Sequence, residues 1–434
     1  MNAALEIWND DCHGCRLVGR MYVNPGRGPS GVHLAFIYEA TWLATPHAFA
    51  IDPTTLPLAT APFHSNDLFP ALSDTGPDRW GCLLIERQPS LRNRQLTSID
   101  YLLGLADQTR IGSLRYRWAD SSAYLAATQN PVPPLLTLGR LLQATDAVQA
   151  GRERLDDLAL LLGSGSPPGG ARPKATVLDR DGSLTIAKFP RGNHEDPRSI
   201  AKGEVLALSL ARQAGIRTAQ ARLVTVKHRD VAIIQRFDRR GSVRIPFISA
   251  RTLLGATTDQ TGSYVEIAEA IRRFGAHPQP DLTELWRRLV FGRLIANCDD
   301  HLRNHAFLRD ASGDWLLAPA FDLNPVPAHE RRQHMATPVA PGRPGGIETA
   351  LELCPAFGLT LRQARRELAR GLAAVAAWER SPLLNRKDRQ DYASAFENEE
   401  RALAQKILAP KLAVGSPAAS LFTARAATKA ETLK

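Results

Sequence analysis

Between two apolar runs the chain places ANCDDHLRNHAFL, residues Ala296 to Leu308. Two adjacent carboxylates, two histidines, an arginine and an asparagine in so short a stretch are costly to bury and need partners. The run before it, DLTELWRRLVFGRLIAN, has Leu282, Leu285, Leu289 and Ala296 at a helical period. Asp281 and Glu284 stand at capping-box spacing and predict where that helix opens. The run after it, HAFLRDASGDWLLA, reads as a short hairpin. The fold must therefore supply a polar loop held between a helix and a hairpin.

The chain has 434 residues, enough for two or three domains with full cores. With 44% apolar and 23% charged residues, disorder of the whole chain is excluded. A net charge of +10 and a pI near 9.6 point to phosphate-bearing or acidic partners. The basic excess is arginine-rich and scattered, so direct DNA binding is one option among several. No apolar run approaches the ~18 residues of a membrane span. The start MNAALEIWNDDCHGC lacks the basic region and apolar core of a signal peptide. Cys12, Cys15, Cys82, Cys298 and Cys354 are an odd, sparse set, which reads as reduced thiols in a cytoplasm. Cys12-His13-Gly14-Cys15 has no second pair to complete a zinc site, so these are read as plain structural cysteines.

Residues 1–130 form a first, β-rich region. RLVGRMYV and VHLAFIYEATWL are strand-like, with turn signals at Asn24-Pro25-Gly26 and Gly28-Pro29, and SIDYLLGLA is helical. NPVPPLL, from Asn130, reads as a linker. A second region, 135–245, opens with one or two helices ending in RERLDDLALLLG. It continues through a Gly/Ser/Pro loop, GSGSPPGGARPK, to a hairpin with an Asp181-Gly182 turn. SIAKGEVLALSLARQAG then reads as a helix closed by Gly215, and ARLVTVKHRDVAIIQRFDR as a further hairpin. Residues 246–408 are mainly helical, and 409–434 read as a frayed, Ala/Lys/Thr/Ser-rich tail. There is no internal repeat.

Gly-rich loop, strand with a lysine, helix with a glutamate, hairpin, helices, polar loop, hairpin, aspartate: this is the order of parts in a protein kinase. Phosphoryl transfer needs charge neutralisation and in-line positioning more than covalent chemistry. Gly163, Gly165, Gly169 and Gly170 would let backbone N–H groups cover phosphates, although the spacing departs from G-x-G-x-x-G and an ordinary linker competes. Lys188 ends a strand pattern, where a surface lysine is the plain alternative. Glu204 tilts that choice. It shares a helix face with Ala201, Leu208 and Ala211, and a carboxylate on an apolar stripe calls for a buried cation, for which Lys188 is the candidate. In the polar loop, Asp299 precedes Asn304 by five, the D-x-x-x-x-N spacing of a catalytic base and a metal-binding asparagine. Five beyond Asp300 lies His305, which is no hard-oxygen ligand. Asp299 is therefore selected as the base, and Asp300 is left for a cap or a surface ion pair. A charged helix terminus is the competing reading of DDHLRN. In LLAPAFDLNP, Asp322 follows a strand where a metal-binding aspartate belongs, but with Phe-Asp-Leu-Asn in place of Asp-Phe-Gly.

GGARPKA, IAKFP, GEVLALSLARQAGI, IIQRFDR, ANCDDHLRNHAF and LAPAFDLNP together resemble the HipA family of bacterial serine/threonine kinase toxins, over residues from about 160 to 330. SYVEIAEAIRRFG and FPALSDTGPDRWG resemble its helical lobe and N-terminal region more loosely. The resemblance implies an α+β, protein-kinase-like two-lobed fold: a β-rich ATP-binding lobe, an all-helical C-terminal lobe and an N-terminal β-rich subdomain. It implies an ATP- and Mg²⁺-dependent serine/threonine-protein kinase, the toxin of a toxin–antitoxin pair. A small helix-turn-helix antitoxin would neutralise it and link it indirectly to DNA. Its substrate would be a protein such as an aminoacyl-tRNA synthetase. By motif match Lys188 would contact phosphates, Gln235, Arg236 and Phe237 would line the adenine hinge, Asp299 would be the base, and Asn304 and Asp322 would hold Mg²⁺. Autophosphorylation of a loop serine, Ser166 in preference to Ser164, would switch the enzyme off. Two other classes stay open. One is an inactive kinase-fold module that sits on an antitoxin–DNA complex; the other is a small-molecule kinase.

Overall fold

Period-two burial builds the first sheet. Val32, Leu34, Phe36 and Tyr38 are buried and the residues between them half-buried, as a strand with one face on a core requires. In a computed structural model, the structure describes residues 4–26, 31–91, 93–125, 132–165, 170–192, 199–256, 262–309, 313–331 and 336–409. Strands β1 (Ala4–Asp11), β2 (Gly14–Pro25), β3 (Val32–Tyr38), β4 (Phe63–Ser65) and β5 (Leu114–Trp118) pair antiparallel in the order β4-β3-β2-β1-β5. Gly19 permits the closest approach of β2 and β3, since a Cβ there would lie 2.4 Å from the Ile37 carbonyl oxygen. The strand-like run VHLAFIYEATWL does not stay extended. Ala40–Leu43 is a helical turn that swings Trp42 inward against Phe49, with ring centroids 5.4 Å apart. The Cys12 and Cys15 pair flanks the β1–β2 turn, and both thiols are free and exposed.

A second sheet holds β6 (Lys174–Leu178), β7 (Leu184–Lys188), β8 (Ala221–Val226) and β9 (Arg229–Gln235), antiparallel in the order β6-β7-β9-β8. The Asp181-Gly182 turn closes β6 on β7, with Gly182 at φ +80. Lys227 and His228, at φ +50 and +62, close β8 on β9, the mirror-image turn that suits strand twist. Helices cover both faces. Val231 and Ile233 meet the pair Leu138–Gln149 and Leu155–Gly163, whereas Ala232 meets the helix Ile200–Gln213. The expected linker is not free of the sheet: Val132 and Pro133 are buried, the Pro133 carbonyl accepts from Leu178 N–H, and Pro134 bridges to Leu178. It covers an edge strand whose backbone groups would otherwise lack partners.

Two short strands follow, β10 (Arg239–Arg240) and β11 (Val243–Arg244), and then a sheet of β12 (Phe247–Ser249), β13 (Ala306–Arg309) and β14 (Trp315–Leu317) in that order. The hairpin expected after the polar loop is β13–β14. The helical part is built round Pro278–Leu294, whose Leu282, Leu285, Trp286, Leu289 and Leu294 are buried. Its start differs from the capping-box reading. Pro278, suited to a first helical position, opens the helix three residues before Asp281. Asp281 and Glu284 then serve as ion-pair partners: Asp281 accepts from Arg217 and the Leu317 N–H, Glu284 from the Arg217 N–H and Arg288. Ala296 falls beyond the helix, at φ +51. Among the described residues no helix is long and apolar enough to cross a membrane.

Candidate active site

Lys188, the last residue of β7, is buried, and its Nζ lies 2.6 Å from Glu204 Oε1 and 2.8 Å from Asp322 Oδ1. The pair expected from the glutamate's apolar face is present: Ala201, Glu204, Leu208 and Ala211 are all buried along the helix Ile200–Gln213. Burial opposes the ammonium, but Asp322 and Glu204 outweigh it and raise its pKa above the usual lysine range. Burial alone would lift the Asp322 carboxyl; Lys188, Lys174 and Asn324 instead hold it well below the carboxylate range. Glu204 is pushed upward by burial, with Lys188 pulling against that. Asp322 has φ +55, a left-handed conformation costing a non-glycine residue about 1–2 kcal/mol. A bridge between Ala320 and Thr218 and the Asn324 amide bonding back to Asp322 Oδ1 hold it there.

Asp299 and Asn304 belong to one closed loop. Leu302, fully buried, anchors a 3-10 turn, and the Asn304 side-chain amide donates to the Asp299 carbonyl at 2.8 Å. With Nδ2 so engaged, the amide oxygen is what Asn304 has to offer. Asn304 and Asp322 line one small cavity with Asn297, Asp300 and His305. The Asp299 side chain is exposed, whereas Asp300 is only 5% exposed. Asp300 is thus neither a cap nor a surface ion pair. The Tyr264 hydroxyl donates to it and His305 Nε2 lies 2.7 Å from its Oδ1. Burial would raise its pKa, yet His305 and Tyr264 together bring it below the ordinary value, and the Tyr264 hydroxyl is pushed well above its own by burial and by Asp300.

The glycine-rich segment is less uniform than its composition suggests. Gly163 ends the helix Leu155–Gly163 and Ser164 is its C-cap. Ser164 is fully buried, its hydroxyl bonded to the Leu160 carbonyl at 2.7 Å, so it faces the interior. Gly165, at φ +61, packs on the N-terminal region, where a Cβ would fall 1.8 Å from Thr109 Oγ1. Ser166 and Gly169 lie outside the described residues. Gly170 is exposed and its carbonyl accepts from Lys174 Nζ at 2.8 Å.

At the end of β9, Gln235 is half-buried and Phe237 packs on Phe321 with ring centroids 5.4 Å apart. Arg236 has a different task. It is 5% exposed and its fork donates to Asp238 and to the carbonyls of Thr109 and Arg110. Any ligand at this segment would meet its backbone rather than the guanidinium.

The sequence reading missed Lys174. It is 2% exposed and paired with Asp78, the N-cap of the helix Arg79–Glu86. It also lies close enough to Lys188 and Asp322 to feel both charges. A hairpin centred on Asp181 sets Lys174 opposite Lys188, as the observed register does, so the turn held a signal for it. Nothing local foretold Asp78, 96 residues away. Among the described residues no cluster of three or more His, Cys, Asp or Glu could hold a metal ion. The oxygens of Asn304 and Asp322 do suit Mg²⁺, which is commonly held by one or two carboxylates together with substrate phosphates.

Several known proteins are similar to this chain. Toxin YjjJ of Escherichia coli (strain K12) is 28% identical over 174 residues, 37% of each chain. A putative kinase of Haemophilus influenzae is 24% identical over 207 residues, 42% of this chain and 60% of that protein. The matches therefore span 37% and 60% of these relatives' lengths. Among solved structures, HipA of Shewanella oneidensis MR-1, in a complex with HipB and operator DNA, superposes with a TM-score of 0.69 at 16% identity. That match covers 93% of this chain and 97% of HipA. The fold is thus kinase-like, of the HipA type. A family model described as the HipA-like C-terminal domain matches residues 166–378. The segment includes Lys188, Glu204, Asp299, Asn304 and Asp322, and over it the chain is similar to the HipA family.

Proposed function

We propose that the protein is an ATP- and Mg²⁺-dependent serine/threonine-protein kinase that acts as the toxin of a toxin–antitoxin pair. The observation that carries this reading is Lys188 held between Glu204 and Asp322, with Asp322 sharing a cavity with Asn304. One buried ammonium faces two carboxylates, and a hard-oxygen pair opens beside it. Such a centre is suited to a bound cation and phosphates, because phosphoryl transfer asks chiefly for positioning and charge stabilisation. Asn304 and Asp322 would hold Mg²⁺, which would neutralise charge on the nucleotide phosphates. Lys188, kept protonated and oriented by Glu204, would grip phosphate oxygens, with Lys174 as a second cation. Asp299, which is exposed, would accept the proton of an incoming hydroxyl. The backbone of Gln235 to Phe237 would receive the adenine.

The acceptor would be a host protein, an aminoacyl-tRNA synthetase being the candidate class, in a cytoplasmic setting. A small helix-turn-helix antitoxin would be the partner, linking the kinase to DNA; the support is the Shewanella HipA structure, in which HipA is in complex with HipB and operator DNA. Self-modification would fall on Ser166, since Ser164 is buried. The test is γ-labelled ATP with the full chain and cell extract, beside Asp299→Asn. A labelled protein that disappears with Asp299→Asn supports the proposal. Nucleotide binding without any labelling would favour an inactive binding module, and label confined to small molecules would favour a small-molecule kinase.

A further inference from the structure

The two adjacent aspartates of the loop part company. Asp299 turns outward and Asp300 turns in, where a carboxylate must be compensated by donors. Asp300 has one hydroxyl donor and one imidazole nitrogen at ion-pair distance. Tyr264, in the first turn of the helix Tyr264–Phe274, donates its hydroxyl to Oδ2, and His305 Nε2 lies 2.7 Å from Oδ1. Tyr264 and His305 also meet edge to face, with ring centroids 5.1 Å apart. The three side chains close a triangle whose corners are the start of the loop, its end and a helix of the surrounding lobe.

This triangle adjoins the residues proposed to react. Asp299 immediately precedes Asp300, and Asn304 immediately precedes His305. The Asn304 amide ties the two together by its bond to the Asp299 carbonyl. The His305 carbonyl is fixed in turn by the Ala250 N–H at 2.7 Å, and β13 begins at the next residue. Asp300, Asn304, His305 and Asp322 line the same cavity.

We propose that Asp300 is a positioning residue for phosphoryl transfer: by joining Tyr264 to His305 it sets the loop that carries Asp299 and Asn304. The proposal rests on the kinase reading above. Without the carboxylate, Tyr264 and His305 lose their common partner, and the side-chain link from Asp300 to the helix Tyr264–Phe274 is gone. Misplacement of a reacting group by about 1 Å can cost on the order of 10²-fold in rate.

The test uses the full chain with Asp300→Ala, the conservative Asp300→Asn, Tyr264→Phe and the double variant Asp300→Ala/Tyr264→Phe. Two quantities are read: kcat and KM for Mg·ATP per folded molecule, and amide hydrogen exchange of the peptide 297–306. Asp300→Ala is expected to lower kcat by about 10–100-fold with KM for ATP unchanged. Asp300→Asn should recover part of that, because its amide oxygen still accepts the Tyr264 hydroxyl. The double variant should lose little more than Asp300→Ala, as members of one network do. Exchange should quicken in the loop while the helix Pro278–Leu294 keeps its protection. Unaltered kcat per folded molecule in Asp300→Ala, or unaltered loop exchange, overturns the proposal. If the parent chain transfers no phosphoryl group, the kinase reading fails on its own, and the exchange data still decide whether Asp300 orders the loop.

Discussion

Two buried ionic clusters in this molecule differ in their charge balance. Around Asp238, two guanidiniums meet one carboxylate. Arg236 and Arg239 both donate to it, as does the Gly112 N–H, and further guanidinium bonds go to the carbonyls of Thr109, Arg110 and Gly112. That cluster pins the N-terminal region to the segment after β9. Around Lys188 the balance is reversed, with one ammonium against two carboxylates and Asp322 opening to a cavity. Burial of charge is common to both. What differs is whether the charge is matched in place or left for something else to complete, and the second condition marks a candidate site.

The largest expected effect comes from removing the carboxylate of the second cluster that opens to the cavity. Asp322→Ala should reduce phosphoryl transfer at least as much as losing Asp299, about 10²–10⁴-fold, and should abolish thermal stabilisation by Mg·ATP. Transfer assays and melting curves on the same preparation check both. Asp299→Asn should cost about 10²–10⁴ in rate with little change in melting temperature, because its side chain is exposed. That split would separate a reacting group from a structural one.

Breaking the first cluster should do the opposite. Arg236→Ala takes one of two guanidiniums from Asp238, leaving Arg239 and the Gly112 N–H, and should destabilise the fold by about 1.5–3 kcal/mol, as read by urea melts. The same cluster predicts a pH dependence. The Asp238 carboxyl, buried but held by Arg236 and Arg239, titrates well below the carboxylate range. A depressed folded-state pKa contributes stability that is present above the unfolded value, near ~3.9, and lost as pH falls toward the folded one. The melting-temperature gap between the parent and Asp238→Asn should therefore be constant from neutrality down to about pH 5 and narrow below about pH 4. The smallest effect belongs to Ser164→Ala, which removes one helix-carbonyl bond worth about 0.5–1.5 kcal/mol and should leave self-phosphorylation intact by mass spectrometry.

Much of the fold could be read locally. A strand-like run marked β3, the Asp-Gly step marked the β6–β7 turn, and Gly215 closed its helix at φ +81. The Lys188–Glu204 pair followed from a carboxylate on an apolar helix face. Errors arose where a local rule met a tertiary competitor. Asp281 and Glu284 had capping-box spacing, but Pro278 opened the helix first and Arg217 and Arg288 claimed the carboxylates. Gly163 and Ser164 counted as loop by composition, yet the preceding helix runs through Gly163 and caps at Ser164.

The sequence by itself determined which residues could do chemistry and in what order they come, because spacing such as Asp299 to Asn304 is a property of the chain alone. Only the tertiary structure decided which way each side chain faces. Asp299 and Asp300 are chemically identical neighbours, and successive residues of non-helical backbone point to different sides. Which side holds Tyr264 and His305, and which holds solvent, is set by packing of elements far apart in sequence. The same holds for Asp78 on Lys174 and Arg236 on Thr109, where partners about a hundred residues apart meet because two separately built sheets dock. Long-range pairs of this kind leave no periodicity and no spacing, since the chain between them can vary without changing the contact.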